Sequence, residues 1–205
     1  MVELFGKPIC AHTIEAFERC PAIDSVIVVG HHGQLDRLRE IVERYRFQKV
    51  IQIVAGGEKR HESVANGIKV LDGDTRIVVV HDGARPLVSR TLIEEAVKLC
   101  ATWDAVVAAV PVKQTVKKVN GRSLCVEQTL DREGLWEAQT PQVFKKDILV
   151  KAHAKNTKDN PTDDAVMVER LGVEVKIIEG DYRNIKITTQ EDLVIAESFL
   201  KGAVC

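Results

Sequence analysis

Chemistry is most concentrated in the stretch "VVVHDGARP". An apolar run ends abruptly at Val80 in His81 and Asp82, and Gly83, Ala84, Arg85 and Pro86 come next. A short β-branched run closed in this way is a buried strand. In open α/β sheets, ligands bind beyond the carboxyl ends of strands, which is where these residues fall. Asp82 can hold a divalent metal or sugar hydroxyls there. Arg85 can hold a phosphate through two parallel N–H bonds. A structural Asp–Arg pair closing a loop accounts for the same residues.

The segment "VAGGEKRHESVANG" has a related layout. A strand ends at Ala55, Gly56 and Gly57 come after it, and a helix is expected to begin near His61 or Glu62. Two residues without Cβ let the backbone approach a flat or anionic ligand closely. Arg60 and Ser63 stand at the helix entrance, able to face whatever the loop holds. An ordinary βα turn is the plainer account of the glycine pair. In "NPTDDAVMVERLG", Thr162 reads as an N-cap, with Asp163 and Asp164 complementing the helix dipole. Thr162 can still donate to a ligand phosphate. In "GDYRNIKITTQEDL", Lys186 lies between Ile185 and Ile187 on a short expected strand. It must point away from the core, to solvent or into a cleft. "TLDREGLWEAQTPQVF" carries Arg132, Trp136, Thr140 and Pro141. Trp136 reads as a core or interface anchor, and Arg132 as a surface charge or a residue used by a partner subunit. Neighbours on a chain point apart, so His31 and His32 read as a solvated pair and not as a metal site.

These residues need elements to position them. "IDSVIVVG", "VIQIVA", "RIVVVHD" and "DAVVAAVPV" read as strands buried on both faces. "QLDRLREIVERY", "HESVANGIKVL" and "SRTLIEEAVKLCA" lie between them with apolar residues at helical spacing. Alternation of this kind gives an α/β fold with a doubly wound, mostly parallel sheet. After Pro111 the pattern changes. "TVKKV" and "LCVEQTL" flank "NGRS", and Asn120-Gly121 is a hairpin signal. A β-hairpin arm over about residues 113–134 is expected to protrude from the sheet. "VEVKIIEG" then supplies a strand and "TQEDLVIAESFL" a last helix, with Thr189 and Asp192 as its capping pair.

Composition narrows the function classes. The 205 residues suit one domain. A net charge of −1 gives no global attraction to nucleic acid or to an anionic membrane. The apolar run "AVVAAVPV" is too short to span a bilayer, and no N-terminal signal is visible. Five cysteines without CxxC spacing (Cys10, Cys20, Cys100, Cys125 and Cys205) suggest reduced thiols in a cytoplasm.

Taken in chain order, "GGEKRHESVANG", "VVHDGARP", "VPVKQTVKKV", "LDREGLWEAQTPQVF", "TDDAVMVERLG" and "EGDYRNIKITTQEDL" closely resemble the 2-C-methyl-D-erythritol 4-phosphate cytidylyltransferases. The resemblance runs from about Leu4 to Leu200. It implies a Rossmann-like nucleotidyltransferase fold. It also implies cytidylyl transfer from CTP to the methylerythritol phosphate, with release of pyrophosphate, in non-mevalonate isoprenoid synthesis. Gly57, Glu58, Arg60 and Ser63 would serve the nucleotide. Asp82, Arg85, Thr115, Thr140 and Thr162 would bind substrate, and Lys186 and Arg132 would position the acceptor phosphate for attack. Mg²⁺ would bridge the CTP phosphates, and Asp82 would face the ribose, that ion or the substrate hydroxyls. The arm would exchange between subunits of a homodimer, so that Thr115 and Arg132 act across it. The location would be cytoplasmic, or the plastid stroma in a eukaryote. One departure is Gln114, where the family often carries Asp.

Members of that family begin with a buried strand and a glycine-rich basic loop, and "ELFGKPI" resembles the segment just after that loop. The resemblance therefore implies a truncated reading frame, without roughly twenty residues of strand and loop. Unpaired backbone and an open slot in the core are the expected result. Two other readings stay open: a cytidylyltransferase for another acceptor such as ribitol 5-phosphate, and a non-catalytic dimeric remnant.

Overall fold

A computed structural model describes residues 1–156 and 160–202. Its centre is the strand β6 (Ala105–Pro111), which is buried from Ala105 to Val110. Successive side chains of a strand point to opposite faces, and small or β-branched residues suit both faces of β6. Val106 and Ala108 pack with Phe17, Cys20, Leu92, Ile93 and Ala96 on one side. Ala105 and Val107 pack with Phe144, Leu149, Ala152, Met167 and Val168 on the other. The first set comes largely from helices α1 (Ile9–Glu18) and α4 (Arg90–Leu99). The second comes largely from α5 (Lys146–Lys155) and α6 (Ala165–Glu169). Helices therefore cover both faces, as the alternating pattern requires.

The sheet is mixed rather than mostly parallel. Strand β10 (Val175–Glu179) runs parallel to β6. Strand β9 (Trp136–Lys145) runs antiparallel to β6 and to β5 (Ile77–Val80), giving the order β10-β6-β9-β5. Sequence reading does not find β9, because Pro141 lies inside it and proline argues against a central strand. The register explains how proline is tolerated. Val107 pairs with Gln142 but Ala109 pairs with Ala138, so Gln139, Thr140 and Pro141 form a bulge. Bulges re-aim side chains and accumulate near functional sites.

A second piece pairs β3 (Val26–Gly30) with β4 (Val50–Ala55) in parallel, connected by α2 (Leu35–Tyr45). Among the described residues, β3 is paired on one edge only, and so is β5. The sequence pattern predicts both as buried on both faces, yet every residue of both is only half-buried. Helix α1 packs against Val26, Val28 and Val79 on one side of these free edges. On the other side α3 (Arg60–Ile68) sets Gly67 against Val29 and Ile68 beside Val78 and Val80. Two helices thus tie the two sheet pieces together across strand edges that have no partner among the described residues.

The chain opens with a two-residue hairpin, β1 (Glu3–Leu4) with β2 (Lys7–Pro8), turning through Phe5 and Gly6 at positive φ. The arm is present as an exposed antiparallel hairpin, β7 (Lys117–Val119) with β8 (Val126–Thr129). The final helix α7 (Gln190–Lys201) starts on the expected capping box, Thr189 with Asp192. Trp136 is 42% exposed and is no core anchor. Cys10, Cys20, Cys100 and Cys125 are free thiols, and Cys205 lies outside the described residues. No helix of the described residues is long and apolar enough to cross a membrane.

Candidate active site

The loops at the carboxyl ends of β4 and β5 meet at Asp82. Its carboxylate takes an N–H from Arg60 Nε at 3.3 Å on Oδ1. Arg85 Nε at 3.4 Å and the Lys186 ammonium at 3.2 Å reach Oδ2. Three cations thus converge on one carboxylate. Burial alone would raise the Asp82 pKa, but Arg60 and then Lys186 override it and hold the carboxyl below its ordinary range. Asp82 stays ionised at any physiological pH.

Each cation is set by a different element. Arg60 is the first residue of α3, one position earlier than expected, and its Nη1 donates to the buried Asp164 at 2.5 Å. Arg85 is fixed by donation from Nη1 to the Asn184 carbonyl at 2.8 Å. Burial pulls its pKa below the ordinary value despite Asp82. Lys186 lies on an irregular extended segment rather than on the strand read from "NIKIT". That segment is tied to the β5 loop by the bond from Ile187 N to Ala84 O at 2.8 Å. The apolar–polar alternation is present, but no neighbouring strand completes a ladder. Lys186 faces neither bulk water alone nor the core: its side chain is 42% exposed, with the ammonium on Asp82.

The β9 bulge forms the opposite wall. Thr140 Oγ1 accepts from the Asp82 backbone N–H at 3.1 Å. Asn184, fully buried, donates to the Thr140 carbonyl at 2.8 Å and to Gln139 Oε1 at 3.2 Å. Gln142 is also buried; it donates to Asp163 at 2.8 Å and accepts from Ala165 N at 3.2 Å. The expected capping by Thr162 is not found. Asp163 Oδ1 accepts from Val166 N at 3.0 Å and does that work instead. Together Arg60, Asp82, Arg85, Ala138, Gln139, Thr140, Gln142, Thr162, Asp163 and Lys186 line a cavity of about 280 Å³. The lining holds three cationic and two carboxylate side chains and no Ser, Cys or His. It suits an anionic ligand, and its chemistry is positioning and charge neutralisation rather than proton transfer from a nucleophile.

Six sequence-derived residues meet in this cavity: Arg60, Asp82, Arg85, Thr140, Thr162 and Lys186. Five others do not line it. Gly57, Glu58 and Ser63 belong to the loop after β4 and the first turn of α3, where Gly57 N donates to Ser63 Oγ at 3.1 Å. The glycines there are sterically required. A Cβ on Gly57 would lie 2.4 Å from Glu62 Cβ, and one on Gly56 would lie 2.6 Å from Ser63 Oγ. Thr115 and Arg132 are exposed in the arm, with Arg132 Nη1 donating to Lys113 O at 2.6 Å. Gln139, Gln142 and Asp163 also line the cavity; they lie inside the quoted motifs, but the sequence singles none of them out for a ligand role. His31 and His32 are exposed but do not point apart, since their ring centroids lie 4.1 Å from each other; no group of three metal-ligating side chains exists among the described residues.

His81 is not a cavity residue. Its ring packs on Phe17 with centroids 4.9 Å apart, and Nε2 lies 3.1 Å from Arg85 O. Burial pushes its pKa down to about 4 from the ordinary 6.5, so the neutral ring supports the Arg85 loop. A base with a depressed folded pKa stabilises the fold fully above 6.5, and that contribution is lost as pH falls towards 4. Unfolding free energy should therefore drop by about 2 kcal/mol more between pH 7.5 and 5 than in a His81→Asn protein. Parallel pH profiles for the two would refute this.

The whole chain has known likenesses. Residues 1–202 match the family described as IspD: 2-C-methyl-D-erythritol 4-phosphate cytidylyltransferase. A protein of that name from Caldanaerobacter subterraneus subsp. tengcongensis is 46% identical over 98% of this chain and 89% of its own length. One from Pelotomaculum thermopropionicum is 49% identical over 98% and 85%. The crystal structure of 4-diphosphocytidyl-2C-methyl-D-erythritol synthase from Anaerococcus prevotii superposes with a TM-score of 0.90 at 31% identity, covering 98% of this chain and 92% of that one. On this agreement of sequence and fold, the chain belongs to the 2-C-methyl-D-erythritol 4-phosphate cytidylyltransferase family.

Proposed function

We propose that this chain carries out cytidylyl transfer from CTP to 2-C-methyl-D-erythritol 4-phosphate, with the Asp82 cavity as the place where the two substrates meet. The observation that carries this reading is the convergence of Arg60, Arg85 and Lys186 on Asp82 at the carboxyl ends of the strands. An oxygen of the acceptor phosphate attacks the α-phosphorus of CTP. The bond from that phosphorus to the bridging oxygen breaks, and pyrophosphate leaves. The nucleophile is already an anion, so no proton need be removed. Lys186 is released from Asp82 to the incoming phosphate and offsets the repulsion between two anionic reactants. Arg85 and Asp82 hold the acceptor hydroxyls and ribose, and Thr140 and Thr162 offer hydroxyl donors. Gly57, Glu58, Arg60 and Ser63 serve the nucleotide from the loop after β4.

The cavity fits a divalent cation only as one carried by the nucleotide. Asp82 is ringed by cations, and Asp163 is taken by Gln142. One carboxylate plus substrate phosphates is a normal Mg²⁺ arrangement. Asp82 would be the single protein ligand, and the ion would neutralise phosphate charge. We read residues 1–205 as one nucleotidyltransferase domain with an arm over about 113–134. The free thiols support a cytoplasmic location.

The direct test is ³¹P NMR of the chain, preceded by the N-terminal strand and loop of a family relative, with CTP, Mg²⁺ and either acceptor. The CDP-alcohol is expected from methylerythritol phosphate. Product from ribitol 5-phosphate alone would reassign the acceptor, and no product from either would return the chain to a binding role.

We further propose that the arm works in a homodimer. Its apolar side chains Val119, Leu124 and Val126 are exposed, and Arg132 lies outside its own cavity. With both chains carrying a relative's N-terminal segment, mixing Arg132→Ala with Lys186→Ala protein should give heterodimers with one intact site and a matching return of activity. Confirmed subunit exchange without any return would rule out the cross-subunit role.

A further inference from the structure

Arg60 is held from two sides, and the stronger hold lies behind the cavity wall. Its Nη1 donates to Asp164 Oδ2 at 2.5 Å, while its Nε reaches Asp82 at only 3.3 Å. The other Asp164 oxygen accepts from His153 Nε2 at 3.0 Å. Asp164 is wholly buried, and the His153 side chain is 8% exposed. Neither lines the cavity. Asp164 is not spent on the start of α6, because Asp163 accepts the Val166 N–H there. Three helices therefore meet at one desolvated carboxylate: α3 through Arg60, α5 through His153, and α6 at its first turn.

We infer that Asp164, oriented by His153, is a positioning residue that draws the Arg60 guanidinium away from full pairing with Asp82. Without Asp164, a planar guanidinium beside an ionised carboxylate would turn to pair with it through two N–H groups. Asp82 would then be closed to Lys186 and to a ligand. Asp164 keeps Arg60 at the wall, with one edge anchored and its remaining N–H groups available. Burial alone would lower the Arg60 pKa, yet Asp164, and Asp82 after it, raise it. The dominance of Asp164 agrees with the distances. The catalytic consequence rests on the function proposed above; the geometric one does not.

The geometric test uses the 205-residue chain without ligand. The Arg60 side-chain Nε–H signal is assigned by ¹⁵N NMR through its loss in Arg60→Lys. Its chemical shift and solvent exchange are then measured in variants. Asp164→Asn is nearly isosteric and should change the exchange rate by about tenfold, with a moved shift. His153→Gln, which keeps a donor, should stay near the parent, whereas His153→Ala should behave like Asp164→Asn. Val168→Ala, a cavity in the same short helix, should lower stability and leave the signal in place. An unmoved signal in folded Asp164→Asn overturns the inference.

The kinetic arm uses the chain carrying a relative's N-terminal segment. Asp164→Asn should raise KM for CTP about tenfold, and should add little in an Arg60→Ala background. Additive losses would mean that Asp164 acts on structure alone and would also overturn the inference. An inactive parent would refute the proposed function, while the NMR result still decides the positioning role.

Discussion

Residues 1–205 alone should release pyrophosphate from CTP at no more than about one-hundredth of the rate of the same chain preceded by a relative's N-terminal strand and glycine-rich loop. A hundredfold corresponds to about 3 kcal/mol of transition-state stabilisation, an ordinary contribution for fixed donors around a transferring phosphoryl group. The 205 residues contain one glycine pair, Gly56–Gly57, and it is already committed to Ser63 and packed against Glu62. Among the described residues, no other glycine-rich segment with basic neighbours is present to cradle a triphosphate. The fold gives the added segment a place to dock. The unpaired edges of β3 and β5, bracketed by α1 and α3, can accept ladder bonds on both sides of an extended apolar strand. The longer chain should therefore also melt at least about 5 °C higher. Robust turnover by the 205 residues alone would contradict this, and would require another segment to cradle the triphosphate.

In the chain carrying a relative's N-terminal segment, replacing Lys186 with alanine should cost about a hundredfold in kcat/KM for the methylerythritol phosphate while leaving the melting temperature nearly unchanged. The side chain is partly exposed, and Asp82 keeps Arg60 and Arg85 when Lys186 is gone. No carboxylate is left buried and unpaired, so the stability cost should be about 0.5 kcal/mol or less. The rate cost is of another kind. A charge-assisted contact made to the attacking phosphate is worth about 3 kcal/mol, which the ground-state pair with Asp82 does not replace. A large fall in rate at constant stability marks Lys186 as a catalytic residue. An unchanged rate removes it from the mechanism, whatever the likeness to the family implies.

The legible part of the site lies at strand ends. The break from Val80 to Asp82 and the glycine pair after Ala55 mark loops on one edge of the sheet, and Arg60, Asp82 and Arg85 do meet there. Asn120-Gly121 announces the arm because a turn is a local event. The hidden part depends on tertiary packing. Strand β9 carries Pro141, and only its bulge against β6 makes that residue admissible. The alternation in "NIKIT" imitates a strand, but among the described residues no neighbouring strand forms a ladder with it, and the bond from Ile187 N to Ala84 O stands in for one. Asp163 and Asp164 are adjacent and chemically alike, yet one caps α6 and the other holds Arg60. His153 lies on an unremarkable helix, and its role emerges only when α5 meets α6. Glu58 is assigned by likeness alone, Gly57 and Ser63 also by the glycine turn and the helix entrance, and the cavity extends to none of them.

In the proposed reaction the acceptor phosphate and the α-phosphate of CTP meet at Asp82. A crystal structure of the chain carrying a relative's N-terminal segment, bound to a non-hydrolysable CTP analogue, Mg²⁺ and methylerythritol phosphate, is the decisive measurement. The acceptor phosphate is expected within hydrogen-bonding distance of Lys186, with Lys186 drawn off Asp82 and Arg60 still on Asp164. An acceptor phosphate bound away from Lys186, with the Lys186–Asp82 pair intact, would contradict it.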